Sequence, residues 1–568
     1  MLTRRDALAE MVRAAQRTRL PAPRRLHATA VKPGMVALAW EPVPGRKVHY
    51  ELFRNGHHIA RARHPHFKDH RVRPSSTYHY VVAARSGPLG GRRSHELTVH
   101  TPARFHTPPT PPAPTSPPTV ALPNWPDPTL TQPMVDRLFW RAGFGPTDAD
   151  RHEWTGQPAS ALIEHFLSTP YALASTATPP TNQGSPIDPL ASDQELQMEW
   201  LDRMQRTANP FVERMNFFWH RHFAVSRDAG IPSSFLMAYR DRLRRYSDFQ
   251  ANPTASFADL ALEMTTQDAA MSLYLTGNLN RKGAPNENYA REFMELFTLG
   301  VTDASGRSNY SQTDVRELAR AFTGYGVDYS TAQVTFNQGN FDTGTKSFLG
   351  STGSFDAAAG VRIVLAQPNH GPFLINKVWN EFIAVPIPGD TLASLAYQYT
   401  SGAHQLAPVL RNLLRHPLMF DSLDEPTMIK FPVAYAVSLL RTLGAPLRDT
   451  VQTNALGDMQ QQPYHPPNVA GWEGGQSWMS TTTSVARFQL VVTLQQLLPP
   501  PADIPAETPQ QALARAYAAC GSPWLSAQSR SILAAYAQQA PAATASQRVE
   551  RYLALGELIL GGPDGQVM

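Results

Sequence analysis

Between Thr107 and Pro128 the chain turns to Pro, Thr and Ala, with Pro108-Pro109, Pro111-Pro112, Pro114 and Pro117-Pro118 crowded together. Proline fixes φ and removes a backbone donor, so such a run favours an extended polyproline II rod and cannot build a packed core. Whatever folds must therefore fold on either side of it. We read residues 102–128 as a linker, with a proline-rich recognition segment as the functional alternative. At 568 residues the flanking parts are long enough for two or more domains.

Residues 21–101 read as a small all-β domain. Val36-Ala37-Leu38-Ala39-Trp40 and Tyr50-Glu51-Leu52-Phe53 are short β-rich runs, bounded by Pro42-Val43-Pro44-Gly45 and by the hairpin dipeptide Asn55-Gly56. Thr77 to Ala83 alternates with period two, and Gly87, Gly90 and Gly91 end it. Trp40, and Tyr78 after Pro74-Ser75-Ser76-Thr77, resemble the core tryptophan and the tyrosine corner of fibronectin type III domains. That resemblance implies a spacer or docking unit of the kind carried by extracellular bacterial enzymes.

Beyond residue 129 apolar residues recur at three- and four-residue spacing. The pattern predicts helices near 195–206, 211–223, 234–248, 257–275, 288–299, 312–323, 372–383, 405–415, 427–443 and 482–498. The stretch 327–355 breaks it: Val334, Phe336, Phe341 and Phe348 are separated by Asn, Gly, Asp and Thr, as in a long loop or a β-hairpin. Residues 500–568 are rich in Ala and Gln and predict two or three further helices. The expected fold is multidomain: a small all-β sandwich, then a large mainly α-helical domain at 129–499 with C-terminal helices at 500–568.

Charge is unevenly shared. Residues 1–104 hold 20 Lys+Arg against 6 Asp+Glu, a formal +14, whereas the remainder carries −9. Eleven of the 19 histidines also precede residue 107, which concentrates further cationic capacity in the same part. A basic module on an acidic body points to an anionic partner, either an acidic polymer or a cell-envelope surface; the bland alternative is that it neutralises its own body. Nucleic acid ranks last, since arginine–aromatic interleaving is missing. Thr3-Arg4-Arg5-Asp6-Ala7-Leu8 resembles the start of a twin-arginine export signal, but Glu10, Arg13, Gln16, Arg17 and Arg19 interrupt the apolar core it needs. Residues 1–20 therefore read as a basic amphipathic segment without a working signal peptide. The single cysteine, Cys520, excludes an internal disulfide framework and a Cys-based zinc site. No apolar run reaches the length of about 18 residues that a transmembrane helix needs.

The densest chemistry lies in Pro285 to Gly300, PNENYAREFMELFTLG. On its helix Tyr289, Phe293, Leu296 and Gly300 share a face, and Glu287, Arg291 and Glu295 form an i,i+4 ladder on another. Glu292 sits between the faces, which makes it the carboxylate expected to be partly buried and perturbed. The catalytic candidates are Glu292, Glu287, Glu295, Arg291 and Asp314; the alternative is a structural Arg–Glu lattice. Ser311 and Asp314 also have the spacing of a capping box, which by itself explains Asp314. His220 and His222 are weak metal-ligand candidates, because positions i and i+2 of a helix diverge by about 200°. A divalent metal is the one cofactor class considered. Asn468, Trp472 and Trp478, in a Gly-rich loop, are candidate substrate contacts through indole stacking on sugar rings. No Gly-x-Ser-x-Gly elbow, phosphate loop, dinucleotide fingerprint or His-Glu-x-x-His is present.

Leu138 to Pro146, Phe218-Trp219-His220-Arg221-His222-Phe223, Pro285 to Gly300, and Asp314-Val315 with Ala319 to Gly324 resemble the bacterial family named domain of unknown function 1800. So do Ile429-Lys430-Phe431-Pro432 and Pro466 to Trp472. The resemblance runs in order over about residues 130–490 and implies a large helical domain in predominantly exported proteins, without implying a reaction. Where the family pattern leads us to expect His-Asp, this chain has Phe341-Asp342, followed by Lys346. The leading functional expectation is an enzyme on an extracellular polymer with a carboxylate/histidine site, in the manner of a metal-assisted hydrolase. The competing one is a non-catalytic scaffold or adhesion protein.

Overall fold

Alternation in the first hundred residues becomes seven strands in the computed structural model. They are β1 (His27–Lys32), β2 (Met35–Ala39), β3 (His49–Arg54), β4 (His57–Ala62), β5 (His66–Asp69), β6 (Thr77–Arg85) and β7 (Leu97–His100). The structure describes residues 21–568 except 33–34, 45–47, 73–75, 86–92, 102–122, 174–178, 500 and 502–503. The basic segment 1–20, most of the linker, Gly45, Pro74-Ser75 and the glycines Gly87, Gly90 and Gly91 lie outside the described residues.

The strands form two antiparallel sheets, β1-β2-β5 and β4-β3-β6-β7. In β6 Tyr78, Tyr80 and Val82 point inward while Thr77 and His79 face solvent, as period two requires. They meet Val36, Leu38, Trp40 and Leu52 in one core, where Trp40 packs edge-on against Tyr50 at 5.2 Å. Asn55 and Gly56 turn β3 into β4 with φ of +51° and +83°. Two consecutive left-handed residues are what a two-residue hairpin matched to strand twist demands, and Asn-Gly tolerates them best. Asp69, buried at the end of β5, accepts hydrogen bonds from Tyr80 Oη (2.7 Å) and Arg54 Nη1 (2.9 Å).

From Gln132 onward the described residues are mainly helical, and their strands form only two-stranded pairs. Helices form at all ten anticipated segments, with two changes of detail. The segment 257–275 splits into Phe257–Thr266 and Ala269–Tyr274. Asp268 causes the break: its carboxylate accepts the Met271 N–H (2.9 Å) to cap the second helix and is held by Arg242. The segment 288–299 becomes an α-helical turn followed by a π-helix. The non-helical stretch resolves into two hairpins, Tyr325–Asp328 with Gln333–Phe336 and Lys346–Phe348 with Ser351–Gly353. Three helices, Pro509–Ala519, Ala527–Gln539 and Ala545–Gly561, complete the chain's fold. No helix among the described residues is long and apolar enough to cross a membrane.

Five elements matter below: α1 (Pro210–His222), α2 (Ser233–Arg245), α3 (Asn288–Glu292), α4 (Gln312–Ala321) and α5 (His370–Phe382). Helix α1 is buried on almost every side and carries ions into the core, each compensated. Glu213 accepts from Arg244 Nε (2.6 Å), Tyr171 Oη (2.7 Å) and Trp200 Nε1 (2.8 Å). Arg214 and Arg221 both bind Glu381 of α5. A buried carboxylate survives only when its lone pairs are satisfied this fully.

Candidate functional site

The acidic stretch begins with side chains that replace missing backbone partners. Asn280 Oδ1 accepts the Asn286 N–H (2.9 Å), and Asn286 Oδ1 accepts the Asn288 N–H (3.0 Å), so the first turn of α3 is held without a cap bond from the Glu287 side chain. At Phe293 the helix widens into a π-helix that runs to Thr298. One inserted residue keeps Phe293, Met294, Phe297 and Thr298 all buried and leaves Glu292 and Glu295 at the boundary, half-buried. π-Bulges of this kind recur at functional sites.

The end of the π-helix explains the histidines. Its last carbonyls have no intrahelical partner and point into the protein. Leu296 O accepts from Lys377 Nζ (2.7 Å), Phe297 O from His222 Nε2 (3.1 Å), Thr298 O from His370 Nδ1 (3.0 Å), and Leu299 O from Asn369 Nδ2 (2.6 Å). Gly300 then leaves with φ +74°. The Lys377 ammonium stands where the helix dipole favours a cation. Burial nonetheless lowers its pKa to about 8. Burial, then the Lys377 charge, holds His222 well below the ordinary histidine range. His370 is brought down to about 3 by burial and bonds Tyr399 Oη with its other nitrogen.

His220 serves a different neighbour. Its Nε2 accepts the Tyr464 N–H (3.0 Å), which leaves the proton on Nδ1 to be donated to Tyr239 Oη (3.0 Å); Tyr239 in turn donates to Phe223 O (2.7 Å). Burial lowers its pKa to about 3. Both ring nitrogens are thus committed, and His220 and His222 diverge as their i, i+2 spacing requires. No group of three His, Cys, Asp or Glu is placed to hold a metal ion among the described residues. His220 and His222 therefore share no three-residue donor set among the described residues. Nor does any hydrogen bond or ion pair join Glu292 to either histidine among the described residues.

The carboxylates separate into two kinds. Glu287 pairs with Arg291 (3.0 Å), and Gln312 at the start of α4 bonds both, so this is a surface lattice. Asp314 forms the capping box with Ser311 and also accepts the Leu349 N–H (2.8 Å), tying the second hairpin to α4. Burial works against its charge, but the hydrogen bonds from Leu349 and Ser311 hold its pKa below the usual carboxylate range. Glu295 accepts from Tyr310 Oη (3.0 Å). Glu292 alone of this group has no hydrogen-bond partner among the described residues. Burial, then the Glu295 charge, raises its pKa, and Arg291 only partly offsets this. The Glu292 charge also acts on Tyr274 and Tyr310, which places both tyrosines around it. A carboxyl whose pKa is raised, beside a hydrogen-bonded carboxylate, is an arrangement that acid–base chemistry uses.

The Gly-rich loop closes over α1. Gly471 has φ +78°, and a Cβ there would lie 2.6 Å from Arg221 O. Only glycine permits that approach. Asn468 is exposed and shapes the turn, its Oδ1 accepting the Ala470 N–H (2.9 Å). Trp472 is half-buried, stacked on Phe217 at 6.2 Å and edge-on to His220 at 5.5 Å. Trp478 is 4% exposed, so its indole face is a core anchor and offers no sugar platform. Phe341 packs on Phe336 at 5.7 Å and beneath the Lys346 ammonium at 5.1 Å; Lys346 itself bonds Asp342 O and Gly344 O.

Sequence reasoning missed Tyr310, Tyr274, Lys377 and His370. For Lys377 a signal existed: it is the only cation between Pro372 and Phe382, in a helix otherwise carrying Leu374, Ile375, Val378 and Trp379. For the tyrosines there was none.

No curated protein matches the chain. Among solved structures, a Yersinia enterocolitica family 28 exopolygalacturonase aligns at 19% identity over 15% of this chain and 21% of that one, with a TM-score of 0.14. The chain thus spans about a fifth of that enzyme. The fibronectin type III domain of human fibronectin type III domain containing protein 3 aligns at 14% identity (15% and 89%, TM-score 0.14). That of human collagen alpha-1(XX) aligns at 24% (16% and 92%, TM-score 0.14). Residues 137–567 match the family described as "Protein of unknown function (DUF1800)", and this chain belongs to that family.

Proposed function

We propose that the chain is an extracellular or envelope-associated enzyme acting on a polymer, with Glu292 as general acid and Glu295 as its charged partner. The observation that carries this reading is the state of Glu292: half-buried, without a hydrogen bond among the described residues, and raised in pKa by burial and by Glu295. A structural carboxylate would be satisfied, as Glu213 and Glu381 are. In the proposed reaction Glu292 gives its proton to a leaving oxygen, and Glu295, oriented by Tyr310, activates water or stabilises developing positive charge. We further infer domains at 21–101, 102–128, 129–499 and 500–568. The first is taken as a fibronectin type III module, supported by its three- plus four-stranded sheets and by Trp40 and Tyr78 in the core.

The scaffold reading has its own support, because His220, His222, Glu287 and Asp314 all serve structural bonds. The two readings part at one experiment. The purified chain is incubated with neutral and acidic polysaccharides near pH 5.5, and new reducing ends are measured for the wild type, Glu292→Gln and Glu295→Gln. The enzyme reading expects release that both variants lower by at least about 100-fold without lowering the melting temperature. Release that survives Glu292→Gln would move the chemistry elsewhere, and no release from any polymer would favour the scaffold.

A further inference from the structure

The sandwich presents one side on which exposed lysine, arginine and histidine side chains outnumber the carboxylates. β4 is the outer strand of the four-stranded sheet and β5 the outer strand of the three-stranded one. Only Arg63, His64 and Pro65 join them, a span of at most about 14 Å, so the two edges lie side by side. Along β5 Phe67 and Asp69 turn inward while His66 and Lys68 face out, and His64 and His70 continue the outward row. Alternate residues of a strand recur about every 6.6 Å, so these four side chains form a comb about 20 Å long. On the β4 side His57, His58, Arg61 and Arg63 are exposed as well. The imidazoles of His64 and His66 stack nearly parallel (5.8 Å, 12°).

The acidic groups nearby are few and mostly engaged. Asp69 is buried under Arg54 and Tyr80, and Glu51 pairs with Arg85. From the helical part Glu473 approaches His57 at 3.7 Å, and the Asp421 charge reaches Arg61. Just beyond the paired part of β2, half-exposed Glu41 pairs with Arg25 (3.2 Å), and Lys68 and Arg63 flank the histidine pair.

We propose that this edge is the docking surface for a linear acidic polysaccharide. The length and linearity of the comb suit an extended chain with regularly repeated charge. No exposed aromatic side chain is interleaved with the cations, as stacking on single-stranded nucleic acid would require. The inference rests on this surface alone and is independent of whether Glu292 is catalytic.

The test uses the full chain near pH 7 and dextran sulfate, with neutral dextran and single-stranded DNA as controls. Binding to dextran sulfate should weaken steeply from about 50 to 300 mM salt, and neutral dextran should not bind. Arg63→Glu/Lys68→Glu should weaken binding about tenfold; an unchanged affinity would overturn the assignment of this edge. No retention on dextran sulfate at low salt would leave edge protection against aggregation as the cations' only role and overturn the proposal, and equal or tighter binding of DNA would replace the polysaccharide.

Discussion

At the scale of single residues, Glu292 and Glu213 are opposite cases of a carboxylate away from water. Glu213 is fully buried, and despite that burial its pKa is held below the ordinary value by Arg244, Tyr171 and Trp200. Its contribution to stability is present above the unfolded-state pKa and is lost as pH falls through the folded one. Glu213→Gln should destabilise by about 3–5 kcal/mol in denaturant unfolding near neutral pH, because Arg244 keeps its charge and loses its deepest partner. Glu292 has the other sign. Its folded pKa is raised, so the folded state holds the proton more tightly, and stability declines as pH rises from the unfolded to the folded value. Glu292→Gln should therefore leave the melting temperature equal or higher near pH 7, with the gain over wild type shrinking as the medium is acidified. A variant that melts several degrees lower at neutral pH would mean that Glu292 has a structural partner.

Among elements, the π-helix and the Gly-rich loop are set by what packs against their ends. The carbonyls of Leu296, Phe297 and Thr298 would be orphaned in the core if Lys377, His222 and His370 did not reach them. These donors come from α1 and α5, which is why a cation and two neutral imidazoles line an apolar junction. The loop depends on one backbone position. Gly471→Ala should cost about 2–4 kcal/mol, since it adds a left-handed alanine and a clash with Arg221 O. Trp472, packed on Phe217 and His220 beside that position, supplies the readout: its fluorescence should shift toward a solvent-exposed spectrum in the variant. An unaltered spectrum with unaltered stability would show that the loop is not seated through Gly471.

Across the whole molecule, residues 562–568 close over a cation that has no carboxylate. Lys430 lies 3.7 Å from the centre of the Trp140 ring, gives a hydrogen bond to Gly565 O (2.9 Å), and has no ion-pair partner among the described residues. Burial, then the Arg487 charge, lowers its pKa to about 7. The unfolded chain binds the proton more tightly, so stability should rise as pH increases from about 7 toward the free-lysine value, by roughly 1–3 kcal/mol. Lys430→Met should flatten that rise in melting curves taken between about pH 7 and 9.5; a variant with the wild-type slope would assign the titration to another group.

Much of this organisation is local and was legible. The sandwich follows from period-two alternation and Asn55-Gly56, and the helices from their apolar spacing. The Ser311–Asp314 cap follows from its three-residue offset. Periodicity says which face of a segment is buried but not what it is buried against. His220 meets Tyr464 across 244 residues and His222 meets Phe297 across 75, so their role as hydrogen-bonded core residues appears only once the helices pack. The same holds for Glu292: its half-buried position was readable from the helix, whereas its lack of a partner, and with it the raised pKa, was decided by which side chains the tertiary structure brought near and which it kept away.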